Sequence, residues 1–200
     1  MNGFIYLASQ SPRRRQLLEQ IGVRHELLLP GAEEDAEALE AVLAGEQPEA
    51  YCARVTDAKL EAAAQRHAAR GLPAAPILCA DTTVAVDDLI LGKPADAADA
   101  ARMLGLLSGR THRVITAVAV GAGSRRARAL NVSQVQFAPL SAAQVERYVA
   151  SREPFGKAGS YAIQSQAAAW IVNISGSYSG IMGLPLFETA QLLSTFGLDV

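Results

Sequence analysis

Cysteine is nearly absent. Cys52 and Cys79 are the only two in 200 residues, so a disulfide scaffold is excluded, and their apolar settings read as buried thiols in a reducing compartment. An excess of positive charge is missing too: 18 basic against 20 acidic side chains give a net charge of -2. No global field is available to hold nucleic acid, so no nucleic-acid partner is expected and any anion site must be local. Long hydrophobic runs are lacking. Only about eight mostly apolar residues precede Gln10-Ser11, too few to span a bilayer and without a basic stretch ahead of them. A cytoplasmic protein with no membrane partner is expected. Repeats, low-complexity linkers and sharp composition breaks are absent, which suits one domain over residues 1–200, with room for two lobes and a ligand between them.

What is present is 50% apolar residue content distributed in alternating short patterns. Phe4 to Ala8 reads as a strand that stops at Ser9-Gln10-Ser11-Pro12. Leu17, Leu18 and Ile21 then recur at helical spacing up to Gly22, with Ser11 at the N-cap position and Pro12 at the first helical one. Residues 31 to 48 are acidic and alanine-rich and read as a loop entering a helix over Tyr51 to Ala69. Ile77 to Val86 and Leu89 to Leu91 form a hairpin across Asp87-Asp88. Asp96 caps a helix carrying Ala100, Leu104 and Leu107 on one face, which Ser108-Gly109 stops.

Thr111 to Val120 and Ala127 to Phe137 pair as a second hairpin around Gly121-Ala122-Gly123. Ser141 and Gln144 make a capping box for a helix through Val149. The glycine-punctuated stretch 156 to 183 holds one strand, Ala168 to Ile174, and Leu184 to Phe196 closes as a helix. The fold class is α/β with a mixed sheet.

Chemistry concentrates in a few places. Arg13-Arg14-Arg15 open a helix, where each exposed cation loses about 0.3 to 1 kcal/mol against the macrodipole. A phosphate chain held by these arginines, the backbone N–H groups and the hydroxyls of Ser9 and Ser11 would reverse that; a solvated basic turn is the plain alternative. Asp81 ends the apolar run Ile77-Leu78-Cys79-Ala80, so its carboxylate needs a metal, a cation or a catalytic proton, unless it only ties down a loop. Glu33-Glu34-Asp35 offers hard oxygens of the kind that suit Mg²⁺ or Mn²⁺, or is simply a solvated charge run. Lys59, Lys93 and Lys157 are the only lysines. Lys93, between Gly92 and Pro94, is held near the Asp81 hairpin, whereas Lys59 reads as a helix surface residue.

Other motifs fail. Gly156-Lys157 lacks the first glycine of a P-loop and Gly121-Ala122-Gly123 lacks the third of a dinucleotide fingerprint. Tyr178 stands where a nucleophile elbow needs serine, and His25, His67 and His112 have no zinc spacing.

In order, Leu7-Ala8-Ser9-Gln10-Ser11-Pro12-Arg13-Arg14, Ala80-Asp81-Thr82, Gly92-Lys93-Pro94, Leu107-Ser108-Gly109-Arg110-Thr111-His112, Lys157-Ala158-Gly159-Ser160-Tyr161-Ala162-Ile163-Gln164 and Gly183-Leu184-Pro185-Leu186 resemble the Maf family of nucleoside triphosphate pyrophosphatases. The resemblance implies an elongated, inosine triphosphatase-like α/β fold with two lobes and a central cleft, occurring as a homodimer. It also implies cleavage of a nucleoside triphosphate between the α and β phosphates, dependent on a divalent cation: Mg²⁺, Mn²⁺ or Co²⁺. By the same resemblance Asp81 is the proton acceptor, Arg13, Thr82 and Gln164 bear on substrate choice, and Glu34, Lys59 and Lys93 are polar cleft residues. Ser9 and Arg14 join the phosphate-binding set, and Glu34 with Asp81 is the expected metal pair.

The block ending in Gln164 looks like the branch acting on dTTP and UTP, not the one with a carboxylate there that takes 7-methyl-GTP. An amide supplies one donor and one acceptor for the imide edge of thymine or uracil. Ser165-Gln166-Ala167-Ala168 departs from the glycines usual at that point. A competing reading keeps the cleft as a nucleotide sensor governing septum formation without turnover; Asp81, Glu34 and Lys93 argue against it.

Overall fold

The computed structural model describes residues 3–31, 33–34 and 38–200. The apolar run at the start forms β1 (Ile5–Leu7), and Pro12 opens α1 (Pro12–Gln20) at a position where the missing N–H is not needed. A short edge strand, β2 (His25–Leu27), follows; three half-exposed residues carry no periodicity, so sequence patterning does not reveal it. Within the acidic stretch Ala38–Glu40 makes one 3₁₀ turn before α2 (Pro48–Ala69). Asp35, one of the acidic trio, lies outside the described residues.

The hairpin β3 (Ile77–Val86) and β4 (Leu89–Leu91) pairs Val86 with Leu89 across Asp87-Asp88, as expected. Asp96 accepts from the Asp99 N–H to cap α3 (Ala97–Leu107). Next come β5 (Thr111–Ala122) and β6 (Arg125–Phe137). The expected turn at Gly121-Ala122-Gly123 moves to Gly123-Ser124, because Ala122 still pairs with Arg125 and Gly123 takes the positive φ of +56°. The Ser141–Gln144 capping box opens α4 (Ala142–Ala150).

The expected strand over Ala168 to Ile174 is corrected: Gln166–Trp170 is a 3₁₀ turn, and β7 runs Ile171–Ser175. Alanine favours helical backbone, and buried Ala167 packs inward. A five-residue helix, α5 (Tyr178–Met182), is too short to show a period, and α6 (Leu186–Thr195) closes the fold.

The seven strands make one mixed sheet in the order β2-β1-β3-β5-β6-β7, with β4 added to β3. The long strands β3, β5 and β6 run through two lobes. One lobe packs Ile5, Leu7, Leu17, Leu18 and Leu193 around Leu78 and Val118. The other packs Met103, Leu104, Phe137 and Tyr148 around Val84 and Val114. The α/β architecture with a mixed sheet is thus as the sequence indicates. Its key feature is a gap. On one side of β3, β1 pairs only with Ile77 and Leu78, while β4 pairs only with Val84 to Val86. Residues 79 to 83, with Asp81 at their centre, face that break in the sheet.

Candidate functional site

The break opens into a cleft of about 890 Å³. Ser9, Arg13, Arg14, Glu34, Lys59, Asp81, Thr82, Lys93 and Gln164 all line it, so residues spread over 156 positions of chain are brought to one place. Three of the segments that line the cleft carry most of the polar side chains beyond β3 and β4. The turn after β1 brings Ser9 and the arginines, the middle of α2 brings Lys59, and the segment 156–164 brings Gln164.

That last segment is held by its backbone. Gly159 sits at φ +66°, its N–H donates to the Gly92 carbonyl at 3.1 Å, and a Cβ there would stand 2.7 Å from Val84 Cγ1. Only glycine fits, and the contact anchors the Gln164 segment beside Lys93. Gln164 is itself exposed to the cleft.

Asp81 is 8% exposed, and an ionised carboxylate at that depth needs a partner. Lys59 Nζ donates to its Oδ1 at 2.6 Å, while Oδ2 has only a long 3.4 Å contact from the Thr83 hydroxyl. Lys59 does not end there: it also donates to Glu40 Oε1 at 2.7 Å, and Glu40 Oε2 accepts from Lys93 Nζ at 3.0 Å. A line of alternating charge, Lys93–Glu40–Lys59–Asp81, therefore crosses the cleft. Burial acts to discharge Lys59, but the charges of Asp81 and Glu40 outweigh it, and its pKa is raised. Burial likewise works against the Glu40 charge, and the two lysines pull its pKa below the usual carboxylate value.

Glu40 was not among the residues singled out by sequence, since nothing in an acidic stretch with several carboxylates marks which one turns back to the cleft. Its backbone carbonyl accepts from the Tyr51 hydroxyl at 2.8 Å, which fixes the 3₁₀ turn against α2.

The arginines divide their work. Arg14 donates from Nε to the Gly183 carbonyl at 2.7 Å, from one terminal nitrogen to Ser9 Oγ at 3.1 Å and from the other to Thr82 Oγ1 at 3.3 Å. Three of its five N–H groups are thus committed to the walls, leaving two for an anion. Arg13 makes one 3.3 Å bond to the Met182 carbonyl, and Arg15 is exposed. Burial lowers the pKa of both Arg13 and Arg14; an anion in the cleft would offset that cost. Ser11 occupies the N-cap position of α1, but its hydroxyl makes no cap bond; its N–H donates to Ser9 Oγ instead. Lys157, whose ammonium donates to the Glu153 carbonyl, also lines the cleft, and burial with the neighbouring Arg13 lowers its pKa.

Glu34 stands at the cleft margin and gives both carboxylate oxygens to Arg66, the closest contact being 2.5 Å, and one also to the Gly31 N–H. These bonds hold its pKa down at about 2. A divalent cation implied by the resemblance would meet one carboxylate with open lone pairs, Asp81, and no preformed cage: among the described residues no group of three or more His, Cys, Asp or Glu side chains converges. That donor set fits a Mg²⁺-like ion which takes most of its ligands from phosphate oxygens and water. No helix among the described residues is long and apolar enough to cross a membrane.

Cations from several elements arrayed on a gap in a mixed sheet, with a buried carboxylate at its centre, define an α/β protein with a cation-lined cleft. A family model described as Maf-like protein matches residues 4–196, and the chain belongs to that family. The dTTP/UTP pyrophosphatase of Albidiferax ferrireducens is 64% identical over 200 residues, 100% of each chain. That of Ralstonia nicotianae is 65% identical over 191 residues, 95% of this chain and 92% of the other. A solved nucleoside-triphosphatase / dITP/XTP pyrophosphatase from Mycobacterium abscessus aligns with a TM-score of 0.42 at 19% identity, over 69% of this chain and 76% of that one, a likeness too distant to decide anything here.

Proposed function

We propose that the protein hydrolyses nucleoside triphosphates, dTTP and UTP foremost, between the α and β phosphates, to a nucleoside monophosphate and pyrophosphate. The observation that carries this reading is Asp81, a buried carboxylate beside Lys59 at the break in the sheet, facing a cleft with cations on both walls. Arg13, Arg14, Lys59, Lys93 and Lys157 hold the phosphate chain, whose negative charge matches theirs. Asp81 orients a water and accepts its proton as the oxygen bonds to the α phosphorus; the bond from that phosphorus to the bridging oxygen breaks, and pyrophosphate leaves. A divalent cation, when bound by Asp81 and the phosphate oxygens, would neutralise charge developing on them. Glu34 could join it only by releasing Arg66. Gln164 reads the base through its amide. The names of the relatives, dTTP/UTP pyrophosphatase, support the substrate choice. A cytoplasmic homodimer belongs to the same reading, its mass open to analytical ultracentrifugation.

The test is product analysis. Purified protein with Mg²⁺ or Mn²⁺ is given dTTP, UTP, CTP and 7-methyl-GTP; pyrophosphate and monophosphate in equal amounts, fastest from dTTP and UTP, are expected. Orthophosphate and a diphosphate would refute the cleavage position, and binding without turnover would make the cleft a sensor.

A further inference from the structure

Two of the three lysines that face the phosphate chain, Lys59 and Lys93, are already bridged by a carboxylate of the protein itself. Glu40 Oε1 accepts from Lys59 at 2.7 Å and Oε2 from Lys93 at 3.0 Å. Its 3₁₀ turn, Ala38–Glu40, is tied to α2 through the Tyr51 hydroxyl. Among the described residues Glu40 is the one ion-pair partner of Lys93, whose side chain is 46% exposed, while that of Glu40 is 27% exposed. The two oxygens of a carboxylate span nearly the separation of two oxygens on one phosphoryl group, and each carries part of a single negative charge. A phosphoryl group carries more charge and a third oxygen, so it can make the same bridge more strongly.

We propose that Glu40 is an affinity-setting residue that occupies a phosphate subsite between Lys59 and Lys93, and that the incoming polyphosphate displaces it. This rests on the reading of the cleft as a polyphosphate site. The exchange is an ion-pair swap without covalent change: two lysine–carboxylate contacts are given up and two lysine–phosphate contacts form. The displaced carboxylate moves to water. Glu40 thereby discriminates by charge. A multiply charged phosphate chain outcompetes it, whereas a ligand with a single weak anionic group does not, which favours triphosphate over lesser anions in the cell. Asp81 keeps its own bond to Lys59 throughout, so the carboxylate at the sheet break is not released by the swap.

The experiment compares wild-type protein with Glu40→Gln and Glu40→Ala by isothermal titration calorimetry, using inorganic pyrophosphate, the α,β-methylene analogue of dTTP, and thymidine as a phosphate-free control. Two partly exposed ion pairs of ordinary strength correspond to about a three- to thirtyfold change in affinity. Pyrophosphate and the analogue should bind tighter by that factor in both variants, with thymidine unchanged and the KM for dTTP lowered. In a Lys93→Ala background the gain from Glu40→Gln should shrink. Unchanged or weaker pyrophosphate binding in a folded Glu40→Gln protein would overturn the proposal, as would a gain that survives undiminished without Lys93. Glu40→Asp, which keeps the charge but shortens the reach, should fall between wild type and Gln; affinity equal to Gln would support the loss of the bridge, and affinity below wild type would contradict it. A protein that failed to hydrolyse dTTP would remove the proposed reaction, yet the pyrophosphate comparison would still be read.

Discussion

Lys59, at the middle of α2, places its ammonium 2.6 Å from the carboxylate of Asp81, at the middle of β3. The pair is made across the face of the sheet at the residues that β1 and β4 leave uncovered. Separating either partner leaves a largely buried charge alone. Asp81→Asn keeps the size and removes the charge and the proton acceptor, so kcat should fall about a hundredfold or more while binding of a non-hydrolysable triphosphate is retained. Steady-state kinetics with calorimetric binding checks this, and near-normal turnover would rule out Asp81 as the base.

Arg13 and Arg14 look alike in sequence but should respond differently to mutation. Arg14→Ala removes three hydrogen bonds, leaving the Gly183 carbonyl without its donor while Ser9 keeps the Ser11 N–H and Thr82 keeps the Thr116 hydroxyl, a loss of about 2 to 4 kcal/mol, or about 5 to 15 °C in Tm for a chain of this size. Arg13→Ala loses one long bond to Met182 and should leave Tm within about 3 °C, while weakening triphosphate binding. Differential scanning calorimetry beside KM values separates the two; equal melting losses would show that both arginines serve only the fold.

How much of this was legible in the sequence depends on range. The hairpin through Asp87-Asp88 and the cap at Asp96 are local chemistry, and both stand where the residues put them. Asp81 was conspicuous because a carboxylate interrupts an apolar run. The break in the sheet was not, since it arises from where β1 ends on β3, a pairing between residues some 70 positions apart. The role of Glu40 was hidden for a related reason: several carboxylates lie between residues 33 and 46, and only the folded 3₁₀ turn selects one. Arg14's ties to Gly183 and Thr82 are also long-range contacts.

His112 gives the protein a dependence on acidity. It is 2% exposed, donates to or accepts from the Tyr161 hydroxyl through Nε2 at 2.7 Å, and its Nδ1 has no hydrogen-bond partner among the described residues. Burial pushes its pKa down from 6.5 to about 4. The unfolded chain therefore takes up a proton below about pH 6.5 that the fold refuses until about pH 4. Stability is unaffected above that window and falls as pH drops through it, by up to about 3 kcal/mol. Urea unfolding from pH 7 to pH 4 should show this slope in wild type and a shallower one in His112→Gln; parallel curves would assign the acid sensitivity to other groups.

Gln164 carries the sharpest expectation. Its side chain reaches the cleft from a segment locked by Gly159 against Val84, so the amide is presented by a rigid support. Against a thymine or uracil edge the amide matches one donor with one acceptor, and Gln164→Glu turns the donor into a second acceptor facing carbonyl lone pairs. An unmatched polar contact of this kind amounts to about 1 to 3 kcal/mol, or roughly ten- to a hundredfold in kcat/KM. The loss should fall on dTTP and UTP, with CTP less affected, because its exocyclic amine can donate to the new carboxylate. Activity on 7-methyl-GTP should drop little or rise, the cationic base favouring a negative partner. Measuring kcat/KM for the four nucleotides in both proteins at saturating divalent metal decides it, and an equal loss on all four would mean that Gln164 supports its loop and does not read the base.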